Sequence, residues 1–126
     1  MNNNLPKQSL GDVIDKVTIL TRKIYFGEED AIDELQYLLK SVDKLGIKLT
    51  GKMLSSIIRL SQMNFEIWIR ENEIRKGGED KFTLEEIGKR SIEIRNCNRK
   101  RVKYKNEINR LTGLGFMEFK VKHRSQ

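Results

Sequence analysis

From Leu84 to Arg110 the chain can be wound as one helix, and the contents of its packing line constrain the fold more than any other feature. At about 100° per residue, Ile87, Ser91, Ile94, Asn98, Arg101, Lys105 and Ile108 fall on a single stripe. The ends of the stripe are apolar, as a face that packs against another helix should be. Its middle is Asn, Arg and Lys. Groups of that kind turned inward must be paired, solvated or given to an anionic ligand, because burying them unpartnered is costly. What these groups face is therefore the question the remainder of the chain has to answer.

The length, 126 residues, points to one domain spanning 1–126. Hydrophobic residues are 37% and charged residues 34%, a balance suited to long amphipathic helices rather than a thick globular core. The single cysteine, Cys97, excludes an intramolecular disulfide and suits a reducing compartment. No apolar run approaches the length of a membrane span and no leader is visible, so a cytoplasmic protein is expected. The net charge of +7 is local: nine Lys or Arg lie between Lys89 and Arg110 against Glu93 and Glu107, equal to the whole excess. Such a run is either a solvated helix face or a surface that meets phosphate or another polyanion.

Residues 1–8, polar and holding the only proline, read as a flexible arm. Ser9 can cap a first helix whose apolar line is Leu10, Val13, Ile14, Val17, Leu20 and Ile24, with Asp12, Lys16, Ile19 and Lys23 opposite, Asp15 to one side and Gly27 as its stop. Glu28, Glu29 and Asp30 suit the start of a second helix, with Ala31, Ile32, Leu35, Leu38, Leu39, Val42 and Leu45 as its face and Gly46 as its end. Thr50 can cap a third helix from Lys52 to Lys76, closed by Gly77-Gly78. Its broad inner face carries Met53, Ile57, Leu60, Asn64, Ile67, Trp68, Glu71 and Arg75. Thr83 with Glu86 forms a capping box for the fourth, which Gly113 to Gly115 break. Residues 116–126 alternate as a short strand or extended tail, and a lone strand needs a partner, one hint of a homo-oligomer. The expected fold is an all-α antiparallel helical bundle built on a long two-helix hairpin, with two shorter N-terminal helices and that tail.

In an antiparallel hairpin, Asn64, Glu71 and Arg75 should approach Ser91, Asn98, Arg101 and Lys105. They form either an internal network, for example Glu71 with Arg101, or an anion pocket in which Arg forks onto oxygens and Asn reads a base or sugar. Trp68 is either core or stacking platform. Asp12 and Lys16 make an ordinary i,i+4 pair, or Lys16 and Lys23 extend the pocket. His123 sits in the tail, Cys97 has no neighbouring His, no Glu-x-x-His pair is present, and the Gly-Gly and Leu-Gly pairs lack phosphate-loop spacing. No catalytic residue, metal site or cofactor is expected.

Leu10-Gly-Asp-Val-Ile-Asp-Lys-Val-Thr-Ile19 with Lys23-Ile24, then Asn64-Phe-Glu-Ile-Trp68 with Glu71 and Arg75, then Asn98, Arg101, Lys105, Glu107-Ile-Asn109 and Gly113, resemble an uncharacterised family of small helical proteins. That family has a Gly-acid-Leu-Ile-Asp-Lys opening and an Asn-x-x-Leu-Trp middle, and is encoded in polysaccharide-synthesis loci and in phages. The resemblance covers most of the chain and implies that Asp15, Lys16, Lys23, Asn64, Trp68, Asn98, Arg101 and Lys105 form one site. It names no ligand. The basic Phe116-Met-Glu-Phe-Lys-Val-Lys tail departs from the acidic tail usual in the family.

The residues and the resemblance together give three expectations. The first is a non-catalytic binding protein for a phosphorylated, nucleotide-type small molecule held between helices, in a phage setting one that sequesters a host nucleotide immune signal. Its ligand-binding set is Asp15, Lys16, Lys23, Asn64, Trp68, Glu71, Arg75, Asn98, Arg101 and Lys105. The second is a nucleic-acid-binding protein using the outer face of the last helix, through Arg95, Arg99, Lys100, Lys103 and Arg110. The third, resting on the family's genomic habit, is an accessory or enzyme acting on nucleotide sugars. No membrane partner is expected.

Overall fold

A computed structural model describes residues 7–75, 82–113 and 119–120. The expected stop at Gly77-Gly78, most of the tail and His123 lie outside the described residues. Four helices run in order: α1 (Leu10–Tyr25), α2 (Ala31–Asp43), α3 (Gly51–Arg75) and α4 (Leu84–Thr112). Short strands β1 (Lys7–Gln8) and β2 (Phe119–Lys120) pair antiparallel, Gln8 opposite Phe119. The architecture is the all-α bundle on a long hairpin that the sequence suggests. No helix among the described residues is long and apolar enough to cross a membrane.

The starts of α1, α3 and α4 are fixed by hydroxyl caps. Ser9 Oγ accepts from the Asp12 amide at 3.2 Å, Thr50 Oγ1 from Met53 at 3.2 Å and Thr83 Oγ1 from Glu86 at 3.1 Å. Gly27, Gly46 and Gly113, at φ of 94°, 62° and 70°, take the left-handed turns that end α1, α2 and α4. Two expectations about the ends of the chain change. The last residues of the supposed arm are a strand, and they are the partner of the tail strand within the same chain. The described tail strand, 119–120, therefore has a partner without a second copy.

At about 1.5 Å per residue, α3 and α4 run roughly 38 and 44 Å, and they make the most extensive contact in the protein. Helix α1 lies across both of them, and α2 lies along α1. One core cluster joins Leu10 and Ile14 to Met53, Leu60 and Ile108, and a second joins Val13 and Leu20 to Ala31 and Leu38. The apolar face of α2 is narrower than its pattern suggests. Ile32 and Leu39 are exposed and Glu34 is buried in their stead, because α2 packs chiefly on one neighbour and Glu34 meets Lys16 there.

The end of the hairpin away from α2 is held by charge. Arg70 bonds Glu66 and Glu93, and Arg90 bonds Glu73 across the helices at 3.0 Å. At the other end the contact is backbone-close. Gly11 donates to Asn109 Oδ1 at 2.7 Å, and a Cβ on Gly11 would run into the Lys105 carbonyl oxygen. The start of α1 can approach α4 this closely only with glycine there.

Candidate functional site

Helix α1 places Ile19, Arg22 and Lys23 on one face, and its C-cap residue Phe26 continues the i, i+3, i+4, i+7 spacing. Helix α3 presents Asn64, Ile67, Trp68, Glu71 and Arg75 by the same rule. Together with Glu28 and Arg101 these residues line a cleft of about 440 Å³. Six of the ten residues singled out in the sequence therefore meet: Lys23, Asn64, Trp68, Glu71, Arg75 and Arg101.

The cleft rests on Asp15, which is 5% exposed. Its Oδ1 accepts from Arg101 Nε at 2.8 Å and from Asn64 Nδ2 at 2.8 Å, and its Oδ2 accepts from Arg101 Nη2 at 2.5 Å. Asn64 also donates to Thr18 Oγ1 at 2.9 Å. The forked pair satisfies the buried carboxylate and the partly shielded guanidinium together. Its hydrogen bonding to the Asp15 carboxylate is the main reason the Arg101 guanidinium is held more firmly protonated than an ordinary one, against the opposing pull of burial. The inward polar groups of α3 and α4 are thus answered first by α1. Arg101 pairs with Asp15 and not with Glu71, which takes Arg75 on its own helix at 3.1 Å.

Three expected members stand elsewhere. Lys16 turns to Glu34 on α2 at 3.7 Å, because it lies one turn from both Val13 and Leu20, on the side of α1 that packs on α2. Lys105 pairs with Asp12 at 2.7 Å, about one turn along α4 from Arg101. Asn98 stands beside Arg101, its Oδ1 accepting from Nη1 at 3.5 Å, and does not line the cleft. Burial acts to raise the Asp12 carboxyl, but the Lys105 ammonium and the Ser9 cap outweigh it and hold it below the usual value of 3.8.

Sequence reasoning missed Arg22 and Phe26. Phe26 lies just past the last turn of α1, and its ring stacks on Trp68 with centroids 4.7 Å apart. Phe65 continues the row at 6.3 Å from Trp68, and the Arg22 guanidinium lies over the Phe65 ring at 4.6 Å. Trp68 is 37% exposed, so it is a wall of the cleft rather than core. The signal that could have found both is the i, i+3, i+4, i+7 run from Ile19 to Phe26, which was divided between a polar stripe and a helix stop.

Among the described residues, neither Arg22 nor Lys23 has a carboxylate partner. Burial lowers the Arg22 pKa, the signature of a cation taken partly out of water without a counter-charge. Chemically the cleft offers aromatic faces, an amide, the Glu28 and Glu71 carboxylates and two cations that no ion pair among the described residues engages. The described residues contain no group of three or more Asp, Glu, His or Cys placed to hold a metal ion. No family model matches the chain, and neither the curated proteins nor the solved structures give a match.

Proposed function

We propose that this chain binds a phosphorylated, nucleotide-type small molecule in the cleft between α1, α3 and α4, without transforming it. One observation carries the reading: Arg22 and Lys23, both lacking a carboxylate, border the same cleft as the stacked Phe26–Trp68 rings. A base or similar ring stacks on the aromatic wall while phosphate oxygens take the two cations. Glu71 and Asn64 supply an acceptor and an amide for sugar or base edges. Asp15 and Arg101 hold the floor and are positioning residues rather than primary contacts. The resemblance to the small helical family belongs to this proposal, as does the role of sequestering a nucleotide signal.

Trp68 is the only tryptophan, so its fluorescence reports on the cleft in the intact protein. Titration with linear and cyclic nucleotides, nucleotide sugars and inorganic phosphate should give saturable quenching for a ring-bearing phosphate and little for phosphate alone. Lys23→Ala should weaken that binding about tenfold, the scale of one charged hydrogen bond. Neither quenching nor calorimetric heat from any member of the panel would sink the proposal. Chemical change of a bound nucleotide sugar during the titration would favour the enzymatic alternative.

A further inference from the structure

The cations of this protein divide into two populations. Arg70, Arg75, Arg90, Arg101 and Arg110 each hold a carboxylate, and Arg22 covers a phenyl ring. Arg59, Arg95 and Arg99 are exposed and, among the described residues, have neither. Arg59 belongs to a groove of about 320 Å³ where the first half of α3 meets the last half of α4, together with Lys52, Ser55, Lys103 and Glu107. Its single carboxylate, Glu107, is already engaged by Arg110 through two hydrogen bonds. The three cations of the groove are therefore uncompensated.

The helix ends tell the same story. Helices α1, α2 and α4 carry acids in their first turn, where the dipole favours them. Helix α3 carries none and has Lys52 there, against its own dipole. An anion in the groove relieves that repulsion. On α4, Arg95, Arg99 and Lys103 follow one another at i, i+4 and i+8, an exposed ridge about 12 Å long that leads into the groove.

We propose that this groove and ridge form a second binding surface, separate from the cleft, that takes the phosphodiester backbone of a nucleic acid strand. A track of this length fits a chain of phosphates better than one phosphate group, and the cations contact backbone oxygens without reading sequence. A bilayer surface is the poorer match. Along the ridge on α4 the exposed apolar residues, Ile92 and Val102, are ten positions apart, and on α3 only Leu54 and Ile58 flank Arg59, short of the long apolar face that an inserting helix carries. Arg110, expected from the sequence to belong to the face, is tied to Glu107, whereas Lys52 and Arg59 join it from α3.

The test is anisotropy of labelled single-stranded and duplex oligonucleotides with the full chain. With the five cations Lys52, Arg59, Arg95, Arg99 and Lys103 each on a phosphate, single-strand affinity should fall about 100-fold between roughly 50 and 200 mM salt, and duplex affinity more steeply. The double variant Arg59→Glu, Lys103→Glu should lose at least about tenfold at low salt while leaving any Trp68 response to small ligands unchanged. Arg59→Gln with Lys103→Gln serves if charge reversal disturbs the fold, as judged by circular dichroism. Absence of binding at low salt, binding that neither variant weakens, or binding to anionic phosphatidylserine vesicles but not to oligonucleotides would each overturn the proposal. Failure of the cleft to bind nucleotides would leave it standing.

Discussion

At the residue scale, the protein spends its inward charges in pairs of two grades. Asp15–Arg101 is forked, largely shielded and shared with Asn64, whereas Asp12–Lys105 is a single contact with Asp12 41% exposed. Loss of one partner should differ accordingly. Asp15→Ala leaves Arg101 without its carboxylate and Asn64 with Thr18 alone, and should cost about 3 kcal/mol in urea unfolding. Lys105→Met should act mainly through pH. The Asp12 carboxyl is held below its ordinary value in the folded state, so its contribution is fully present above about 3.8 and is lost as pH falls through the lower folded value. The variant should therefore show a shallower loss of stability with falling pH below about 4.5 than the parent. Equal slopes for the two proteins would show that Asp12 gains nothing from Lys105.

At the scale of elements, the two ends of the hairpin are stabilised by different physics. One end is pinned by Leu10, Ile14, Met53, Leu60 and Ile108, all buried. The other relies on Arg70, Glu66, Glu93, Arg90 and Glu73, ion pairs whose members stay partly exposed. Exposed pairs contribute little each and are screened by salt. Amide exchange near residues 70–75 and 84–93 should be faster than near 53–64 and 100–108, and raising salt to about 1 M should widen that gap. A uniform exchange profile, unmoved by salt, would contradict this division. Much of the element level was legible beforehand, because hydroxyl caps, glycine stops and 3.6-residue periodicity are local signals. The site was legible only in part. Periodicity showed that Asn64 and Arg101 point inward, but angle alone cannot say which helix answers them. Asp15 lay at the edge of two stripes and proved to be the hub. Phe26 sits at the helix stop, where a turn signal masks its place in the Ile19, Arg22, Lys23 run, and Lys16 and Lys105 are drawn off by carboxylates that only packing brings near.

At the scale of the whole molecule, the Asp15 network has a kinetic consequence. Asp15 and Arg101 are 86 residues apart, Asp15 and Asn64 are 49 apart, and the neighbouring Gly11–Asn109 bond spans 98, so docking α1 closes long loops. Closing such loops costs chain entropy before any contact repays it. The α3–α4 hairpin brings its own helices together without α1, so the docking of α1 onto it is the natural late step. An Arg101→Met variant, which keeps much of the aliphatic volume, should refold at nearly the parental rate and unfold faster, by about 30-fold for each 2 kcal/mol lost. A matching slowdown in refolding would place the network in the folding nucleus instead. With the network formed late, the cleft it floors is the last part of the molecule to be assembled and the first to open. A bound ligand would then act as a brake on unfolding, lengthening the lifetime of the native chain without changing how fast it is reached.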